Sequence, residues 1–202
     1  VPDRVIAACN GANGVATFSG IGPDGKYYLY METIGGGAGG RSYKDGSDGI
    51  QVHVTNTSNL PVEALENEYP LLVDRYELIE GSGGAGKWRG GLGLRRVYRG
   101  IDHTLTFSGQ GERGVKAPWG LFGGESGGTA SISLHSDDGN KQPLPIKPAS
   151  LEVKPGVAVC IETAGAGGYG PPAERDIESL EDDTKSGKFS AEFMRKFYNF
   201  EN

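Results

Sequence analysis

Between residues 45 and 66 the chain gathers the side chains best suited to moving a proton: His53, Asn56, Glu63 and Glu66. A histidine changes charge near neutrality, a carboxylate accepts a proton, and a carboxamide polarises a carbonyl. Glu63 and Glu66 are spaced i, i+3, which brings both carboxylates near one face of a helix. The same spacing also suits a solvated face or a pair of arginine partners. Three cations, Arg41, Lys87 and Arg89, stand in glycine-dense stretches and are candidate contacts for a substrate, an anion or a carboxylate.

Other chemistries find less support. Gly81-x-x-x-x-Gly86-Lys87 follows most of the phosphate-loop pattern, but Trp88 stands where a magnesium-binding Ser or Thr is needed. The next residues, Arg89-Gly-Gly-Leu-Gly93, cannot start a helix, so a tight connection between strands is the better reading. The only Gly-x-Ser-x-Gly match is Gly124 to Gly128, without the strand–turn–helix setting of a nucleophile elbow. Asp45 and Asp48 do not continue into the bidentate glutamate of a calcium loop. The three histidines, His53, His103 and His135, are scattered, and Cys9 and Cys160 lack metal spacing. No metal site built from this chain alone is expected.

The elements that must hold these groups are mostly strands. Expected strands are Tyr27 to Thr33, entered through a Pro23-Asp-Gly25 turn, then Ile50 to Thr55, Leu71 to Ile79, Leu92 to Tyr98, His103 to Ser108, Ala130 to His135 and Val157 to Glu162. Asp137 to Asn140 supplies a hairpin turn. A short helix is expected near 61–69, with Val62 and Leu65 on its inner face and Asn59 or Thr57 near its start. Ala191 to Tyr198 forms a second, capped by Ser190; Phe193, Met194, Phe197 and Phe200 make its packing stripe. The fold expected is mainly β: twisted antiparallel sheets, sandwich-like, with glycine-rich loops and a short C-terminal helical tail. Residues 1–172 would form the β-rich portion and 173–202 a charged linker and tail, bounded by Pro171-Pro172.

Glycine accounts for 35 of 202 residues and is concentrated in four blocks, Gly35 to Arg41, Gly81 to Gly93, Gly120 to Gly128 and Ala164 to Gly170. Glycine loses the most backbone entropy on folding, so such blocks persist where backbones must approach closely. A net charge of −6 argues against nucleic acid or an anionic membrane as partner, and no apolar run approaches a bilayer span. Two cysteines make no disulfide framework, which favours a cytoplasmic setting. The chain begins at Val1, as a processed chain or a piece of a longer protein would.

The blocks and their neighbours, taken in order, resemble the hydantoinase B/oxoprolinase family. The resemblance rests on Gly35-Gly-Gly-x-Gly, then Asp48-Gly49, His53, Asn56-Thr57, Pro61-Val-Glu-x-x-Glu66, Tyr69-Pro-Leu71, and Ser82-Gly-Gly-Ala-Gly-Lys-Trp-Arg-Gly-Gly-Leu-Gly93. Pro118-Trp-Gly-Leu121, Ala166-Gly-Gly-Tyr-Gly-Pro-Pro172 and the closing Asp183, Gly187, Ser190 and Glu192 continue it. The resemblance implies the C-terminal portion of a B-type subunit. Such subunits work beside an A-type subunit that carries ATP and magnesium and phosphorylates an amide or enolate oxygen. The B-type partner then completes hydrolysis of a cyclic amide (hydantoin, oxoproline or lactam type) or, in other members, carboxylation of a ketone. A non-catalytic assembly role is the third reading. The divalent metal, Zn or Mn, would lie in the remaining N-terminal portion of the subunit, not in this chain. His53, Asn56, Glu63 and Glu66 would then line or brace the site.

Overall fold

The computed structural model of the chain describes residues 1–53, 55 and 57–201. Nine strands form two antiparallel sheets. The first has the order β2-β1-β5-β8, from β1 (Gly14–Ile21), β2 (Tyr27–Ile34), β5 (Leu105–Gln110) and β8 (Leu151–Val153). The second has the order β3-β4-β9-β6-β7, from β3 (Leu71–Leu78), β4 (Leu94–Gly100), β6 (Ser131–Ser136), β7 (Lys141–Leu144) and β9 (Val157–Glu162).

Alternation explains the packing. Period-two side chains send Phe18, Tyr30, Tyr98, Phe107, Ile132 and Ile161 from both sheets into one core. Phe18 is its centre, with ring centroids 4.7 Å from Tyr98 and 5.1 Å from Phe107. The sandwich-like reading is therefore what the chain builds. The turn through Pro23 and Gly25 joins β1 to β2, with the Gly22 amide donating to the Lys26 carbonyl at 2.9 Å. The Asp137–Asn140 turn joins β6 to β7. Helix α1 (Val62–Glu68) buries Leu65 beside β3. Its start is Pro61, with no side-chain cap, rather than Asn59 or Thr57. Asn59 instead donates to the Thr33 carbonyl of β2.

The expected strand at 50–55 is not formed among the described residues. Ile50 makes one isolated bridge with Gly36, after which 51–53 are irregular. The alternation is real, but among the described residues the polar side chains of this run, Gln51 and Thr55, bond to the end of β2 and the loop before β1 in place of a ladder.

The glycine blocks pack against one another, not merely against the sheets. The Gly37 amide donates to Ala164, Gly40 to Gly167, Gly84 to Ala166, Leu121 to Gly168 and Gly168 to Glu125, all at 2.8–3.1 Å. A Cβ built on Gly90 would fall inside the Ala166 carbonyl, and one on Gly37 inside that of Gly91. The hydrogens that stand there instead aim at carbonyl oxygens, the geometry of weak Cα–H···O contacts. The fourth block, 164–170, is the strand-like centre of this bundle, bonded to the other three.

The last thirty residues fold onto the bundle. Helices α2 (Ile177–Lys185) and α3 (Ala191–Tyr198) place Leu180, Met194 and Tyr198, with Phe189 between them, against Ala85 and Leu92. Both N-caps are side chains: Asp176 accepts from the Ser179 amide and Ser190 from that of Phe193. The stretch expected as a charged linker is thus a 3-10 turn at Pro172–Glu174 followed by α2. Among the described residues, no helix is long and apolar enough to cross a membrane.

Candidate functional site

The candidate site lies where the irregular segment 50–60 crosses the end of β2 and the chain leading into β1. Ile50 pairs with Gly36. Gln51 donates to the Thr33 hydroxyl at 3.3 Å, Asn59 to the Thr33 carbonyl at 2.7 Å, and the Leu60 amide to Glu32 at 3.2 Å. Thr55 donates to Asn13. The described residues on either side of His53, Gln51 and Thr55, are held by side-chain bonds.

His53 is exposed and its φ is +65°. A histidine in the left-handed region is uncommon, and such strain gathers at functional sites. Its Nε2 stands 3.1 Å from the Sγ of Cys9, a buried residue on the extended chain that precedes β1. Beside Cys9, Asn10 is also buried and its Oδ1 has no hydrogen-bond partner among the described residues.

Towards Leu60 a concavity of about 600 Å³ opens, lined by Tyr30, Glu32, Thr33, Asn59 and Tyr69 among others. Glu32 is buried between the sheets. It accepts from the Tyr98 hydroxyl and the Leu60 amide, and its Oε2 lies 2.8 Å from Nη1 of Arg96. Arg96 is fully buried, yet none of its nitrogens is aligned for a good hydrogen bond; its guanidinium lies 4.3 Å from the Tyr76 ring centroid. Burial, with the charge of Glu32, pushes the Tyr30 and Tyr98 hydroxyls well above the ordinary tyrosine range. Both remain protonated donors, and that of Tyr30 has no partner among the described residues.

The other candidates are dispersed. Glu63 is exposed on the first turn of α1. Glu66 accepts from the Val73 amide at 2.9 Å, where β3 has a bulge between Val73 and Arg75. It therefore braces the strand. Asn56 lies outside the described residues. Arg41 is half-buried and bridges Ile6 and Lys44 through its backbone. Lys87 is exposed and meets Glu174 at 3.2 Å. Arg89 is buried, with its nitrogens bonded to Asp48 at 2.7 and 3.1 Å and to Asp183 at 3.0 Å.

Arg89 belongs to a network with the buried Arg175 and Asp183 and the half-buried Asp45 and Asp48, and Lys188 approaches Asp48 at 3.8 Å. Arg175 forks onto both oxygens of Asp45 at 2.8 Å and reaches Asp183 at 2.7 Å. Burial disfavours both guanidinium charges, but the three aspartates outweigh it and raise the two arginines above their ordinary range. The aspartates thus already occupy the cationic face an outside anion would need. Among the described residues no three His, Cys, Asp or Glu side chains cluster as a metal-binding group.

Cys9 and Glu32 were not among the candidates from sequence. Cys9 sits 44 residues from His53, and nothing in the spacing links them. A glutamate in an alternating strand signals burial only once its neighbours are known to face inward.

A two-sheet β fold with interlocked glycine blocks defines a recognisable class. The hydantoinase B/oxoprolinase family model matches residues 1–172, and the chain belongs to that family. It is 44% identical over 197 residues to the uncharacterized protein MJ0963 of Methanocaldococcus jannaschii, covering 98% of this chain and 34% of that protein. It is 36% identical over 194 residues to the B-type subunit of a putative D-/L-hydantoinase from a Pseudomonas species, covering 95% of this chain and 32% of that one. The crystal structure of the ATP-dependent caprolactamase from Pseudomonas jessenii superposes with a TM-score of 0.82 at 25% identity, over 98% of this chain and 36% of that chain. The chain spans about a third of the length of the curated relatives it matches.

Proposed function

We propose that this chain is the C-terminal portion of a B-type subunit in an ATP-dependent enzyme that opens a cyclic amide of the hydantoin, oxoproline or lactam type. One observation carries the reading: nearly the whole chain aligns with a B-type hydantoinase subunit and superposes on an ATP-dependent caprolactamase. ATP and magnesium belong on an A-type partner subunit, and the divalent metal on the remaining portion of the B-type subunit. Residues 1–172 would be the working β-rich portion, and 173–202 the tail that locks the glycine bundle. Two free cysteines favour a cytoplasmic setting.

Phosphorylating an amide oxygen offsets the resonance that protects the amide from attack. What this chain supplies is a positioned base and a shaped edge. His53 would take and return protons as the ring opens. Asn56 would polarise the substrate, Glu63 would line the site, and Glu66 would brace it through β3. Arg41 and Lys87 would meet substrate or partner carboxylates, with Arg89 anchoring the loops.

The test is reconstitution of the full-length subunit with its co-purifying chains. ATP consumption should rise on adding 5-oxoproline, a hydantoin or caprolactam, with the ring-opened product appearing in step. ATP consumption that needs bicarbonate and a ketone, and ignores cyclic amides, would overturn the reading. In the same assay His53→Ala should lower turnover by about 10²-fold with the assembly intact.

A further inference from the structure

The pairing of Cys9 with His53 has the form of a nucleophile and its base, two groups within hydrogen-bond reach from distant parts of the chain. We propose that Cys9 is a catalytic nucleophile that His53 deprotonates, and that it takes the activated carbon of the substrate amide as a thioester. Three observations carry this. The Sγ–Nε2 separation is 3.1 Å. The competing acceptor, the Gly11 carbonyl, is farther at 3.7 Å. The imidazole is the exposed member of the pair, and its residue takes a left-handed φ of +65°, the kind of backbone outlier that clusters at functional sites.

The contrast with the other cysteine sharpens the assignment. Cys160 is buried on β9 beside Glu162, and burial and that carboxylate push its thiol up to about 11. It has no histidine partner in hydrogen-bond range among the described residues. One thiol has an imidazole nitrogen within reach and the other does not.

The step rests on the ring-opening reading above and balances as follows. His53 takes the thiol proton and the sulfur adds to the carbon whose oxygen bears phosphate. The C–O bond breaks and phosphate leaves, giving a thioimidate. One water adds there, the ring C–N bond breaks, and the amine departs with a proton returned by His53, leaving a thioester. A second water hydrolyses the thioester to a carboxylate and restores the thiol.

Two measurements test it on the full-length protein in its native assembly. The first treats it with iodoacetamide at pH 7 and locates the label by peptide mass. Cys9 should be modified while Cys160 is not, and His53→Gln should slow the labelling of Cys9 about tenfold. Labelling of Cys9 no faster than that of Cys160, or indifferent to His53→Gln, overturns the pairing. The second quenches the enzyme in acid during turnover with ATP and a cyclic amide. The peptide holding Cys9 should carry the mass of the ring-opened acyl group, and Cys9→Ala should lower ring opening at least about 10²-fold. Ring opening that persists in Cys9→Ala overturns the nucleophile alone. Absence of ATP-dependent ring opening in the unaltered enzyme overturns the underlying reading as well. Should Cys9→Ala fail to assemble, the adduct mass and labelling of the unaltered enzyme decide the matter.

Discussion

The two halves of this molecule exclude water by opposite means. In the sandwich, two sheets stand apart and the space between them is filled by side chains such as Phe18, Phe107 and Tyr98. In the glycine bundle nothing fills the space, because the backbones themselves touch: a side chain at Gly90 would have to occupy the Ala166 carbonyl. Side-chain packing relaxes partly when an atom is removed. Backbone packing has no such slack when an atom is added, since the neighbours on both sides are peptide groups fixed by hydrogen bonds. The chain around Cys9 is bonded into the bundle, with the Ala7 amide donating to the Gly40 carbonyl at 2.9 Å and the Asn10 amide to the Gly37 carbonyl at 3.0 Å.

The sharpest way to break this contrast is to add one methyl group to the bundle. Gly90→Ala should destabilise the fold by more than about 5 kcal/mol, seen as loss of a cooperative urea transition. A cost near 1 kcal/mol would show that the backbones have room to part. Emptying the sandwich instead, Phe107→Ala should cost about 4 kcal/mol by the same titration, with a transition that stays cooperative.

The junction between bundle and tail comes next. Asp183→Ala leaves Arg89 and Arg175 with fewer carboxylates inside the protein and should cost about 3 kcal/mol. Hydrogen exchange should then show α2 and α3 opening before the sheets do. A uniform loss of protection across the chain would argue that tail and bundle unfold as one unit. At the other extreme Gly139 has φ +84° with nothing near its missing Cβ. Gly139→Ala should therefore cost only about 1–2 kcal/mol, the strain of a left-handed alanine, and so separate conformational strain from steric exclusion.

The smallest effect is a pH dependence. The Cys160 thiol rises from an ordinary 9.0 to about 11 in the folded chain. Its folded pKa is above the unfolded one, so the protonated form favours folding. That contribution is full below pH 9 and is lost as the pH climbs through 11. The stability of the unaltered protein should fall more between pH 9 and 11 than that of Cys160→Ala, measured by denaturation midpoints. Equal slopes would show that the thiol is not held protonated by the fold.

Much of this was legible before any coordinates. Six of the seven expected strands, α1, α3 and the Ser190 cap could be read from local signals, because alternation, turn residues and caps act over a few residues. Strands β1, β7 and β8 were not among those expected, and other exceptions have physical causes. Helix α2 was hidden because an inward position is filled by Asp183 instead of an apolar residue, which breaks the periodicity. The 50–55 run alternates like a strand, but among its described residues only Ile50 makes a bridge, while Gln51 and Thr55 bond through their side chains. Glu66, placed beside Glu63 by spacing, is drawn to the Val73 amide at a bulge that no spacing reveals.

Family, fold class and the candidacy of His53 were carried by residue order alone, since glycine blocks at fixed places in a chain admit few three-dimensional arrangements. What waited for the tertiary structure was every partnership between distant residues. Arg89 with Asp183, Glu32 with Tyr98 and Cys9 with His53 are separated by 94, 66 and 44 positions. Electrostatic and hydrogen-bond energies depend on distance in space, and chain separation carries no information about that until the fold closes.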